Sequence, residues 1–210
     1  MKSIKNLRTD YHKSKLDVND LTESPITLFQ LWLSKAIAYS NDANAFVLST
    51  VNSKGAPSSR VLLLRDVSEK GFSFFTNYNS RKSQEIEVNP NVCMNFFWPD
   101  MERQVRIKGL IIRLSEQDSD DYFKSRPYES RIGAWSSPQS QVIKSREVLE
   151  KKIKELKKKY PNEVPRPENW GGYFIIPNEI EFWQGRASRL HDRFLYKKEG
   201  KSWMINRLAP

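Results

Sequence analysis

The stretch Ala45 to Asn77, AFVLSTVNSKGAPSSRVLLLRDVSEKGFSFFTN, decides the fold. Three runs rich in β-branched and aromatic residues, 45–51, 58–66 and 72–77, are parted by NSKGAP and VSEKG. Short apolar runs bounded by Gly, Pro, Asn and Ser predict strands joined by turns. Working outward, VCMNFFW (92–98), QVRIKGLIIRL (104–114), GYFIIP (172–177), EIEFWQG (179–185), RFLYKK (193–198) and SWMINRL (202–208) repeat the pattern. Many short strands at regular spacing predict a mainly β, antiparallel barrel rather than a βαβ sheet.

Helices are expected at the periphery. SPITLFQLWLSKAIAYS (24–40) has Ser24 as N-cap, Pro25 at the first helical position, and an apolar stripe of Ile26, Phe29, Leu33 and Ile37. Shorter helices are expected at 80–89 and at 115–126, the latter capped by Ser115, and a lysine-rich helix precedes the proline-rich connection 160–172. Residues 1–20 are polar and expected to be a flexible segment; 21–210 read as one domain, with no internal repeat.

The chain has 210 residues, 38% hydrophobic and 12% aromatic, enough for a real core. No apolar run approaches the length of a membrane span, and the N-terminus lacks the apolar region of a signal peptide. One cysteine, Cys93, excludes an internal disulfide and a cysteine-rich zinc site, and two histidines exclude a histidine-rich metal site, so no metal is expected. A cytoplasmic location follows as the default. The net charge of +10 raises nucleic acid as a partner, but half of it sits between Lys144 and Lys159, with eight Lys/Arg against three Glu. Val142, Leu149, Ile153 and Leu156 recur there near helical period, so the lysines are expected to form a solvated face. Neither nucleic acid nor membrane is an expected partner.

Glycine-rich phosphate loops, HExxH and GxSxG are absent, which points to a cofactor that supplies the reactivity. What recurs is a cation beside a hydroxyl at a strand end: Ser58-Ser59-Arg60, Arg65, Thr76 and Ser80-Arg81-Lys82. A helix start carrying Ser, Arg and Lys suits a phosphate. A second basic cluster, Tyr122, Arg126, Ser130 and Arg131, lies in YFKSRPYESRIGAW (122–135). Two phosphate-type sites imply a phosphorylated cofactor and a phosphorylated substrate.

SSRVLLLRD, FFTNYNSRK, MERQVRIKG, YFKSRPYESRIGAWSSPQS and IEFWQGRASRLHDRFLY resemble, in order, the motifs of the pyridoxine/pyridoxamine 5′-phosphate oxidase family, over essentially the whole chain. The resemblance implies an FMN-binding split β-barrel acting as a homodimer, with each flavin between subunits. It implies oxidation of pyridoxine 5′-phosphate or pyridoxamine 5′-phosphate to pyridoxal 5′-phosphate, with O2 reduced to H2O2 and ammonia released from the amine. Hydride transfer from the substrate's C4′ carbon to flavin N5 is the expected chemistry.

Position by position, the resemblance implies that Arg60, Val61, Leu62, Leu63, Leu64 and Arg65 run along the flavin. Arg60, Arg81 and Lys82 would hold its phosphate, with Phe75 and Thr76 at the neighbouring strand end. Gln104 would meet the isoalloxazine edge; Gln139 and Ser140 would reach in from the partner subunit, and Trp183 and Arg193 would complete the wall. Arg65, Tyr122, Arg126 and Ser130 would meet the substrate phosphate, and Arg189, Leu190 and His191 its ring, with Arg189 and His191 catalytic. Arg8, Thr9, Asp10 and Tyr11 resemble a substrate-covering lid. The chain departs from the family at Arg65, where lysine is common. In GRASRLHDRF (185–194) the basic groups are expected to diverge, Arg193 to flavin, Arg189 and His191 to substrate and Arg186 to water, with Asp192 bracing one of them. Three rivals remain open: a flavin carrier without oxidase activity, a nucleic-acid binder, and a flavin oxidase of a different ring substrate.

Overall fold

The computed structural model describes residues 3–6 and 9–210. Nine strands form one sheet in which every pairing is antiparallel. They are β1 (Ala45–Val51), β2 (Pro57–Leu63), β3 (Asp66–Ser68), β4 (Gly71–Asn77), β5 (Asn91–Trp98), β6 (Arg103–Arg113), β7 (Trp170–Gln184), β8 (Asp192–Glu199) and β9 (Ser202–Leu208). The order is β2-β1-β5-β6-β7-β4-β3, with β8 on β7 and β9 on β8.

The branching of β7 gives the barrel its split. One edge of this 15-residue strand pairs with β6. The other pairs with β4 over Trp170–Ile175 and with β8 over Glu179–Gln184. The sequence reading took this segment as two strands because Pro177 lacks a donor and Asn178 follows. The structure accommodates both in a bulge, where the register shifts between Lys108 and Gly109. The strand predicted over 58–66 ends at Leu63, and Asp66 begins β3.

Alternation along the strands fills the interior. Phe46, Leu48 and Thr50 of β1 point inward, as do Val105 and Ile107 of β6 and Ile180 and Phe182 of β7. Helix α1 (Pro25–Ile37) closes one end of the barrel, with Phe29 edge-on to Phe72 at 5.0 Å and Trp32 edge-on to Phe182 at 5.2 Å. Its buried face is Ile26, Phe29, Trp32 and Ala36; Ile37, expected in the stripe, lies outside. The bulky Trp32 sets the facing direction. Ser24 occupies the N-cap position, but its hydroxyl makes no capping bond.

Helices α2 (Arg81–Val88), α3 (Glu116–Ser125), α4 (Tyr128–Ser136) and α5 (Arg146–Lys159) flank the sheet. Ser115 caps α3, accepting from the Asp118 N–H at 3.0 Å. The sequence reading missed α4. The lysine-rich helix starts later than expected, leaving Val142 fully exposed outside it and only Leu156 of its stripe buried. Phe123, Ile132, Leu156, Val164 and Trp170 form a second small core, which seats α3 and α4 against the start of β7. Among the described residues no helix is long and apolar enough to cross a membrane.

Candidate active site

Lys82 is buried at the start of α2, 5% exposed, and its ammonium has no carboxylate partner among the described residues. It donates to the hydroxyls of Thr76 and Ser80, each at 3.0 Å. Burial, and then the Arg60 guanidinium, push its pKa down to about 8. A buried cation with only neutral partners is costly, and an anion at the helix start would repay that cost. Thr76 Oγ1 also lies 3.4 Å from Gln139 Oε1. That places Gln139 of the same chain beside Thr76.

Arg60 reaches the same end of the barrel from β2. Its terminal nitrogens donate to Leu48 O, Thr50 Oγ1, Ser58 Oγ and Glu85 Oε2. Arg81 is exposed and donates from Nε to Glu85 Oε1 at 3.3 Å. Glu85, which the sequence reading did not single out, therefore ties two of the three cations together. Along β2, Leu62 packs against the core while Val61 and Leu63 face outward, and Leu64, just after the strand, enters the core.

Phe75 precedes Thr76 on β4 and connects the cradle to the second basic cluster. Its ring stacks on Tyr122 at 3.8 Å and lies parallel to Trp170 at 5.7 Å. Arginines sit at both ends of this stack: Arg65 is 5.9 Å from the Tyr122 ring and Arg126 is 4.5 Å from the Trp170 ring. Stacking on aromatic faces holds guanidiniums in place while leaving N–H groups free. Arg126 Nη1 is buried with no partner among the described residues. Burial lowers the Arg126 pKa, with Tyr122 opposing the shift and Arg65 adding to it. A cavity of about 290 Å³ opens here, lined by Asn77, Arg126, Ser130, Gln139 and Trp170. Ser140, next to Gln139, has a positive φ of 72°.

The remaining predicted residues lie at the other end of β7. Trp183 is thirteen residues from Trp170, roughly 40 Å of strand at about 3.3 Å per residue. Gln104, Trp183 and Arg193 form one cross-strand row over β6, β7 and β8. Arg193 Nε donates to Glu181 Oε1 at 2.8 Å and Nη1 to Ala209 O at 2.8 Å. Arg186, expected to face water, is paired with Asp192 at 2.7 Å; Asp192 also holds Arg207 and accepts from the Leu16 N–H. Asp192 is thus the brace that lets the basic corner fold.

Ser188 and Arg189 adopt positive φ of 53° and 62°. Of the four non-glycine residues with positive φ among those described, Ser140, Ser188 and Arg189 belong to predicted site segments. Arg189 makes no hydrogen bond or ion pair among the described residues, and Leu190 is exposed. His191 Nδ1 accepts from the Arg186 N–H at 3.1 Å, so the neutral ring carries its proton on Nε2. Burial lowers its pKa, the guanidiniums of Arg189 and Arg193 add to the shift, and Asp192 opposes it. The ring packs on Trp183 at 4.6 Å and on Tyr11 at 5.9 Å. Tyr11 lies so close over Gly185 that a Cβ there would meet its ring at 2.7 Å. Thr9 and Asp10 are exposed, and Arg8 lies outside the described residues.

These features fit a family whose model, described as Pyridoxamine 5'-phosphate oxidase, matches residues 33–160. A second model, Pyridoxine 5'-phosphate oxidase C-terminal dimerisation region, matches 170–210. A protein of Neisseria gonorrhoeae named pyridoxine/pyridoxamine 5'-phosphate oxidase is 49% identical, covering 99% of both chains. One of that name from Polynucleobacter asymbioticus is 49% identical over 100% of both. Among solved structures, PhzG from Burkholderia lata 383, in complex with tetrahydrophenazine-1-carboxylic acid, is 31% identical with a TM-score of 0.87, covering 91% of this chain and 95% of PhzG. An FMN-binding protein of Nostoc punctiforme shares the fold at 18% identity and a TM-score of 0.73, over 89% of this chain and 97% of its own. With both halves of the sheet matched and the cradle in place, the chain belongs to the pyridoxine/pyridoxamine 5′-phosphate oxidase family.

Proposed function

We propose that this chain is an FMN-dependent oxidase that converts pyridoxine 5′-phosphate or pyridoxamine 5′-phosphate to pyridoxal 5′-phosphate, with O2 as acceptor, as a cytoplasmic homodimer. The observation that carries this reading is the pair of anion sites, Lys82 with Thr76, and Arg126 with Arg65, joined by the Phe75 stack. A buried ammonium held, among the described residues, only by hydroxyls, and a guanidinium N–H left there without a partner, are the donors that two phosphate monoesters require. Held by Lys82, Arg60 and Arg81, FMN would supply two-electron redox chemistry, with O2 as the final acceptor and H2O2 as its product.

The protein's own part is placement. Lys82, Arg60 and Arg81 anchor one phosphate; Arg65, Tyr122, Arg126 and Ser130 take the other. Arg189 supplies a free cation and neutral His191 an Nε2–H donor to the substrate ring, and Tyr11 covers them. Ring-on-ring orientation of this kind contributes several kcal/mol, up to about 7–11. Since Arg189 and His191 lie far along β7 from the Arg126 cavity, a complete site needs the corner of a second copy. The exposed outer face of the sheet, with Val61, Leu63 and Phe97, gives that copy an apolar surface to cover.

A flavin oxidase of a non-phosphorylated ring substrate is the second reading, favoured by the likeness to PhzG. The purified holoprotein separates the two. Its FMN bands are expected to bleach anaerobically with pyridoxamine 5′-phosphate and hardly at all with pyridoxamine. In Arg126→Ala, KM for the phosphorylated substrate is expected to rise about 100-fold, as for a lost charge-assisted contact of about 3 kcal/mol. Equal bleaching by both amines would overturn the assignment.

The position of Lys82 also sets a pH dependence. Anion binding requires its protonated form, and burial first, then the neighbouring Arg60 guanidinium, lowers its pKa to about 8. FMN affinity is therefore expected to be level between about pH 7 and 8 and to fall by up to about tenfold per pH unit above it. The ligand-free protein runs the other way. Between about 8 and the ordinary 10.5 the unfolded lysine holds a proton that the folded one has lost, so this group's contribution to stability rises with pH. Flavin fluorescence titrations and melting curves from pH 7 to 10 check both signs.

A further inference from the structure

We propose that Glu85 is the positioning residue that makes the cradle select the phosphorylated flavin, an inference that rests on the FMN reading above. Its carboxylate is buried, 5% exposed, in a region otherwise built to receive an anion. Oε2 accepts from Thr50 Oγ1 and Ser58 Oγ, each at 2.5 Å, and from Arg60 Nη2 at 3.2 Å. Oε1 accepts from Arg81 Nε. One carboxylate thus fixes two guanidiniums from two elements, β2 and α2, through opposite oxygens.

Glu85 does two things for the phosphate. It holds Arg60 and Arg81 in place before the ligand arrives, so less ordering remains to be done on binding. It also sets the charge of the cradle. Arg60, Arg81 and Lys82 carry three positive charges and Glu85 one negative, leaving +2. A phosphate monoester carries about −1.5 to −2 at neutral pH, so the two match. Burial disfavours the carboxylate, but the bonds from Ser58, Thr50 and Arg60 outweigh it and hold Glu85 below its ordinary pKa, so it stays ionised. Glutamine cannot replace it: its one oxygen can serve Arg60 or Arg81, and its NH2 then faces the other guanidinium, donor against donor.

The test compares FMN with riboflavin, which lacks the phosphate, by fluorescence quenching on the flavin-free full chain. In Glu85→Gln the dissociation constant for FMN is expected to rise about tenfold, the cost of a lost charge-assisted bond, while that for riboflavin stays unchanged. Equal weakening of both flavins would show a merely structural role, unchanged FMN binding would show that Glu85 plays no part in holding the phosphate, and tighter FMN binding would show that it competes with it; each overturns the proposal. Thr50→Val, which removes a hydroxyl holding Glu85 without altering charge, gives a second measurement should Glu85→Gln not fold. It is expected to weaken FMN about threefold and spare riboflavin, and an unchanged preference overturns the proposal. A wild-type chain that fails to prefer FMN over riboflavin would refute the FMN reading itself. A wild-type preference retained in both variants refutes only the role of Glu85.

Discussion

Replacing Lys82 by methionine is expected to leave a folded protein that no longer retains FMN. The ammonium is buried, meets only the hydroxyls of Thr76 and Ser80 among the described residues, and is held near a pKa of about 8. Fold stability gains nothing from such a charge, since exchanging a buried ion for an apolar group of similar shape is often neutral or favourable. The flavin-free variant is therefore expected to melt at or above the wild-type temperature. Its dissociation constant for FMN is expected to rise about 100-fold, as for a desolvated charge pair that loses one partner. Melting curves and flavin titrations on one preparation separate the effects. A variant that unfolds, or binds FMN as tightly as wild type, would show Lys82 to be structural.

Arg189→Ala is expected to lose about 100-fold in kcat/KM with no change in FMN retention or stability. Arg189 makes no contact that the fold depends on among the described residues, and alanine removes only its free guanidinium. Its positive φ matters here. The chain bends through the left-handed region at Ser188 and Arg189 without glycine at either, and under the proposed function this turn presents the Arg189 guanidinium. Stopped-flow reduction under anaerobic conditions isolates the step. Reduction at the wild-type rate would remove Arg189 from the chemistry.

The strands were legible because alternation survives in them: Phe46, Leu48 and Thr50 are inward, and the turns between carry Gly, Pro and Asn. Helix α4 was not legible, because Gly133 and a bracket of proline and serine residues mask its period. It is held by tertiary bonds instead, Tyr128 Oη to Tyr160 O at 2.8 Å and Trp135 Nε1 to Pro165 O at 2.7 Å. The cations of the site could be read from their pairing with hydroxyls at strand ends. Glu85 could not, since four residues after Arg81 on a short helix it has the spacing of an ordinary solvated ion pair. The signal lay in its distant partners, Thr50 and Ser58. Reading β7 as two strands also concealed how far Arg189 stands from Arg126. The 15-residue β7 separates them, and under the proposed function this obliges the site to form between copies.

That obligation is tested most directly with a heterodimer purified by two affinity tags, one subunit carrying Arg126→Ala and the other Arg189→Ala. If each site draws Arg126 from one copy and Arg189 from the other, one of the two sites keeps both residues and the other lacks both. The heterodimer is then predicted to recover about half of the wild-type activity, although each parent homodimer is nearly inactive. Activity no higher than that of the parents would mean that both arginines serve the same site from a single chain, and would contradict the account.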